Sequence, residues 1–150
     1  MTTVHGVLTP QLAVIYRAAA REVLVVAISH RQIAGTGLWA AAVIHHGIDT
    51  ATVPFGEGRG GYACFLGRMC PEKGIAQAIT IAQAAEVPLK IAAKMREPEE
   101  LRYFHAVAEP MLGPDEDFLG EVGGADKYRL LGGAMALLNP VQWSNPSAWS

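Results

Sequence analysis

The stretch FLGRMCPEKG, Phe65 to Gly74, carries the residues best suited to chemistry. Arg68 follows an apolar run, Pro71 marks a turn, and Lys73 and Gly74 open what reads as a helix. The apolar run Tyr62–Gly67 predicts a buried strand, so Arg68 stands at its carboxyl end with Gly67 beside it. In open α/β sheets, ligands bind outside the carboxyl ends of the strands. A helix N-terminus there presents free backbone N–H groups and a positive dipole end to an anion. Arginine and lysine together add two formal positive charges, a combination suited to phosphate. Lysine in a first helical turn opposes the dipole, so its position asks for an explanation; the plain alternative is a pair of solvated surface charges.

Other reactive residue types are less organised. His45 and His46 are adjacent, and neighbours on a strand point to opposite faces, so in that conformation they cannot chelate one ion together. The carboxylates of REPEE (Arg96–Glu100) and GPDED (Gly113–Asp117) read as solvated charges at a helix start and a turn. The two cysteines, Cys64 and Cys70, are too few for a disulfide framework, and Cys64 falls in a strand as a reduced core residue. Trp143 and Trp149 suggest, weakly, a sugar-stacking surface.

The elements that position these groups follow from periodicity. The first segment predicts a helix over Gln11–Ala20, a strand over Val23–Ser29, a helical turn, and a strand near Ala42–His46. Residues 53–61, VPFGEGRGG, contain Gly56, Gly58, Gly60 and Gly61 and read as a flexible linker between structural units. Beyond it, strands at Tyr62–Gly67, Pro88–Ala93, Asp117–Val122 and Met135–Pro140 alternate with helices at Glu72–Ala85, Glu99–Ala108 and Ala125–Gly132. That alternation predicts an α/β fold with a Rossmann-like parallel sheet.

Composition agrees with a folded interior. Of the 150 residues 51% are hydrophobic and 17% charged, and the net charge of -2 leaves no basic footprint for nucleic acid. MTTVHGVLTP has no charged region ahead of an apolar core, so it is no signal peptide, and runs such as VLVVAIS are too short for a transmembrane segment. A soluble cytoplasmic protein is the expectation.

FLGRMCPEKG resembles the LGR–x–x–PEKG motif of glycosyltransferase family 4. TVHG (Thr3–Gly6), VAIS (Val26–Ser29), IHHGID (Ile44–Asp49), PLKIAAK and DFLGEV are similar, in order and spacing, to further segments of that family, so the resemblance covers nearly the whole chain. It implies a partial GT-B architecture: residues 1–52 as the end of an acceptor-side N-terminal domain, and 62–144 as part of a nucleotide-sugar-binding Rossmann-like domain. It implies transfer of a hexosyl group from a nucleotide-diphospho-sugar to a hydroxyl acceptor, with retention, no cofactor and usually no metal. Arg68 and Lys73 would bind the donor diphosphate, with Gly67 and Gly74 supporting the loop. His5 would be a catalytic group facing the donor sugar; its other reading is a histidine near a frayed terminus. His46 replaces the family's asparagine in an NGID turn, which puts the turn's geometry in question because asparagine tolerates positive φ better.

After the strand matching AMALLNPVQW, the family carries an element reading EPFGLVMIEAMA, whose two glutamates contact the donor. This chain instead reads SNPSAWS. With one choice of synonymous codons, NPSAWS and a stop can be written AAC CCT TCG GCC TGG TCA TGA. With a G in front, the neighbouring frame of the same bases encodes EPFGLVM. Residues 145–150 are therefore expected to be out-of-frame text, and the chain a truncated, inactive fragment. The exposed sheet face beside its last strand would favour self-association. The competing reading is a non-catalytic phosphate- or nucleotide-binding Rossmann-like module. An oxidoreductase is disfavoured, because no G-x-G-x-x-G follows Tyr62–Gly67.

Overall fold

The computed structural model describes residues 1–142. The chain divides into two compact units, Met1–Asp49 and a second beginning at Thr50. The expectation for residues 145–150, and those for Trp143 and Trp149, lie outside the described residues.

In the first unit β1 (Thr2–Val4), α1 (Pro10–Ala19), β2 (Val25–Ala27), α2 (His30–Ile33) and β3 (Ala42–Val43) follow in order. The strands form a parallel sheet in the order β1-β2-β3. Thr9 starts α1 as N-cap, its hydroxyl accepting the Leu12 N–H at 3.3 Å, and Pro10 fits the first position, where no N–H is needed. All three residues of β2 are buried, as expected for a central parallel strand.

The second unit contains β4 (Ala63–Arg68), α3 (Ile75–Ala84), β5 (Leu89–Lys94), α4 (Pro98–Tyr103), β6 (Glu116–Gly120), α5 (Gly124–Gly133) and β7 (Ala136–Leu137). All strand pairs are parallel, and their order is β6-β5-β4-β7. The sheet grows outward from β4 to β6, then reverses to place β7 on the other side of β4. Such a reversal is the switch point of a doubly wound sheet, with a crevice at the carboxyl ends of the strands flanking it.

Side chains alternate across β4, and each face has its own cover. Phe65 packs with Ile91 and with Ile75, Ile79 and Ala82 of α3, while Cys64 packs with Ala92 and with Leu130 of α5. Both faces are therefore dry near the strand that carries Arg68. Burial pushes the Cys64 thiol up from its ordinary value, which keeps it in the neutral form.

Several boundaries differ from those the sequence predicts. The helix expected from Glu72 is interrupted: Pro71–Lys73 form a single 3₁₀ turn, and α3 starts only at Ile75. Gly74 separates them at φ 74, a left-handed conformation that breaks the helical path. The helix expected to reach Ala108 narrows to α4, followed by a π turn (Phe104–Ala108) and a 3₁₀ turn (Glu109–Met111). The glycine-rich stretch is bound to the second unit. Gly58 N–H donates to the Gly132 carbonyl at 3.0 Å and Gly60 N–H to the Gly133 carbonyl at 2.7 Å. These bonds satisfy carbonyls that the end of α5 would otherwise leave unpaired.

Met135 and Leu137 are 54% and 52% exposed, so apolar surface is open on and beside β7. Among the described residues, no helix is long and apolar enough to cross a membrane.

Candidate functional site

The carboxyl end of β4 leads directly into the candidate site. Arg68 is the last residue of β4 and pairs in register with Lys94, the last of β5. Met69, fully buried, anchors the chain through its N–H to the Lys94 carbonyl at 2.9 Å, and the turn Pro71–Lys73 follows at once. Gly67 lies under this turn, with Lys73 Cβ 3.8 Å from where a Gly67 Cβ would project. The structure thus brings Gly67, Arg68, Lys73 and Gly74 together on one strand end and turn.

Lys73 belongs to the 3₁₀ turn and not to the first turn of α3. Its predicted conflict with the α3 dipole is relieved by this break, and it has no acidic partner within 4 Å among the described residues. Gly74 has a second role besides its positive φ. A Cβ there would collide with the Pro140 carbonyl, and Gln142 N–H donates to the Glu72 carbonyl at 2.8 Å. The segment after β7 is therefore pressed onto the Pro71–Gly74 turn, on the β4–β7 side of the switch point.

Glu100 is the main residue that sequence reasoning missed. Placed among solvated charges by its REPEE context, it is in fact 5% exposed. Its Oε2 accepts the Arg96 N–H at 2.8 Å and the Glu97 N–H at 3.2 Å, the reach-back half of a capping box at the start of α4. Its other oxygen, Oε1, stands 3.6 Å from Arg68 Nε. The N–H donors of Arg96 and Glu97, aided by the charges of Arg68 and Lys94, hold its carboxyl below the usual range. The signal was there in the spacing: a glutamate at the third helical position, two residues after Pro98, is the pattern of a capping residue.

Glu72 is held low as well, by its own backbone N–H first, then by the Cys70 thiol and the Arg68 charge. Arg96 lies further along the same strand ends and forms a two-pronged pair with Glu121, Nε–Oε2 2.9 Å and Nη2–Oε1 2.8 Å. Its charge is thereby committed, whereas Arg68 pairs more loosely with Glu100 at 3.6 Å and Lys73 has no acidic partner within 4 Å among the described residues.

His5 is at the carboxyl end of β1 in the first unit. Its ring stacks on that of His46, with centroids 5.4 Å apart and planes 10° from parallel. His45 instead meets His30, edge-on at 6.5 Å. The two adjacent histidines therefore face different partners beyond the end of β3. A cavity of about 220 Å³ lies here, lined by residues that include Thr3, His5, Ile44, His45 and His46. Gln32 fixes the backbone on both sides of His5: its Nε2 donates to the Val4 and Gly6 carbonyls at 3.0 and 2.7 Å. The concern over His46 is answered by its backbone, because among the described residues the only non-glycine at positive φ is Glu86. Also among the described residues, no group of three or more histidine, cysteine or acidic side chains is placed to hold a metal ion.

No family model matches the chain, and no curated protein matches it. Its fold is similar to the crystal structure of AviGT4, a glycosyltransferase involved in avilamycin A biosynthesis, with a TM-score of 0.58 and 26% sequence identity. The match covers 79% of this chain and 35% of AviGT4, so the chain spans about a third of that protein's length. The fold is glycosyltransferase-like. This agrees with the parallel sheets and with a partial GT-B architecture of Rossmann-like units. In that glycosyltransferase-like setting, the switch point of the second unit holds the end of β4 and the Pro71–Gly74 turn, with Arg68 half-exposed beside Glu100 and Lys73 in the turn.

Proposed function

We propose that this chain is part of a family 4-like glycosyltransferase, in which the second unit binds the diphosphate of a nucleotide-sugar donor. One observation carries the reading: Arg68 and the Pro71–Gly74 turn stand at the carboxyl end of β4, at the switch point of a glycosyltransferase-like fold. In this reading a hexosyl group passes from the donor to an acceptor hydroxyl with retention at the anomeric carbon. As the glycosidic bond breaks, negative charge grows on the departing nucleoside diphosphate. Fixed cations aimed at that charge lower the transition state more than the ground state. Arg68 offers a planar donor fork and Lys73 a point charge. His5, held by Gln32 at the end of β1, is the first unit's candidate for the sugar side of the reaction.

Calorimetric titration with UDP, GDP and their monophosphates tests the diphosphate site directly. Diphosphates are expected to bind weakly and monophosphates much less, with Arg68→Ala lowering diphosphate affinity roughly tenfold to a hundredfold, as for loss of a charged hydrogen bond. Equal binding of mono- and diphosphates would instead favour a general nucleotide-binding module. No binding at all would refute the diphosphate site.

A further inference from the structure

We propose that Glu100 is a positioning residue for Arg68, orienting its guanidinium for a diphosphate by holding it from the Nε side. The inference rests on the donor-site reading for what that guanidinium receives. Glu100 is divided between two tasks. Oε2 takes both backbone N–H donors at the start of α4, while Oε1 is left facing Arg68 Nε at 3.6 Å. The acid itself cannot wander, because its side chain is 6% exposed, whereas that of Arg68 is 55% exposed. A fixed, buried carboxylate therefore stands at the inner side of a solvent-facing arginine.

The geometry has a directional consequence. Contact on the Nε side leaves the two Nη groups at the tip free to fork onto two phosphate oxygens. At 3.6 Å the pair is an ion contact and not a hydrogen bond, so the carboxylate tethers by charge, narrowing the rotamers the arginine samples before it binds. Against this, Glu100 also brings a negative charge towards an anion site. Lys94, the register partner of Arg68, opposes that charge, and the N–H groups of Arg96 and Glu97 already spread it. The two effects have opposite signs in affinity, so removal of the charge alone distinguishes them.

Glu100→Gln is the natural variant, since glutamine also serves at this position of a capping box and retains the two N–H contacts. Inorganic pyrophosphate is the probe, titrated into the full chain, its Glu100→Gln and Arg68→Ala variants, and the double variant. The tether predicts that Glu100→Gln weakens pyrophosphate binding about twofold to fivefold, the scale of a partly exposed ion pair, and that it weakens nothing further when Arg68 is already alanine. The Arg68 Nε–H resonance, assigned by its loss in Arg68→Ala, is expected to shift in Glu100→Gln while the amide spectrum of β4 and β5 is retained. Should glutamine loosen α4, the Arg68→Lys background separates the effects: it lacks the Nε contact, so Glu100→Gln is expected to weaken binding less there than in the wild-type chain, whereas a loosened α4 would weaken both equally. Unchanged or tighter binding in Glu100→Gln, with an unmoved Nε–H signal, overturns the positioning role while leaving the donor site standing. A wild-type chain that binds no pyrophosphate overturns the donor site, and this inference with it.

Discussion

Replacing Gly74 by alanine tests whether the turn and the segment after β7 are as tightly joined as described. Two costs combine there. Alanine at φ 74 pays the left-handed penalty, about 1–2 kcal/mol. Its Cβ also has no room beside the Pro140 carbonyl, so the segment must retreat and release the Gln142 N–H bond to Glu72, which adds about 1 kcal/mol. The expected loss is therefore roughly 2–3 kcal/mol. Gly61 supplies the control, because its φ of 72 is nearly the same while nothing lies within 4 Å of a Cβ built there. Gly61→Ala should cost only the backbone part, about 1–2 kcal/mol. Amide hydrogen exchange at Ile91, in interior strand β5, reads the second unit without interference from the first. Exchange is expected to accelerate roughly thirtyfold to 150-fold in Gly74→Ala and fivefold to thirtyfold in Gly61→Ala. Equal acceleration in the two variants would show that Pro140 does not press on the turn.

Three further outcomes are expected. Phe65→Ala removes a side chain 1% exposed at the β4–α3 interface and should destabilise the second unit by about 3–5 kcal/mol in the same exchange measurement; a loss below 1 kcal/mol contradicts the packing described. Glu72, Glu99 and Glu100 all have folded-state values below the ordinary glutamate range, so their stabilisation is complete above the unfolded value of about 4.3 and disappears as pH falls through the depressed values. Urea melts between pH 6 and pH 2 should show this acid loss, and a shallower one in Glu100→Gln; identical pH slopes refute the assignment to Glu100. Sedimentation velocity is expected to detect self-association that Leu137→Lys reduces, and a concentration-independent monomer in both would remove the case for an adhesive β7.

The elements that periodicity could see were the long ones. The apolar run of β4 and the spaced isoleucines of α3 each bury a full face, so composition alone marks them. The placement of Arg68 at a strand end and Lys73 beyond a proline turn was legible because all of them occur in one uninterrupted stretch. Glu100 was legible as a capping residue from its spacing, but its pairing with Arg68 was not, because Arg68 is distant in sequence and comes near only in the folded unit. The helix break at Gly74 was hidden for a similar reason. Glycine permits a left-handed residue, but the neighbour requiring it is Pro140, contributed from beyond β7. The hydrogen bonds of the glycine-rich stretch were hidden because their acceptors, Gly132 and Gly133, come from the far end of the unit.

The strand order also has a consequence in time. β4 enters the chain before either of its neighbours, and Ala63 must await both Leu89 and Ala136 before its two edges are filled. Contacts this far apart in sequence close slowly, because the intervening chain must lose its freedom first. During synthesis, the Pro71–Gly74 turn remains without its Pro140 brace until nearly the whole second unit has left the ribosome. The turn is thus among the last features to mature, and a nascent chain carrying β4 to β6 alone would display Arg68 beside an unbraced turn.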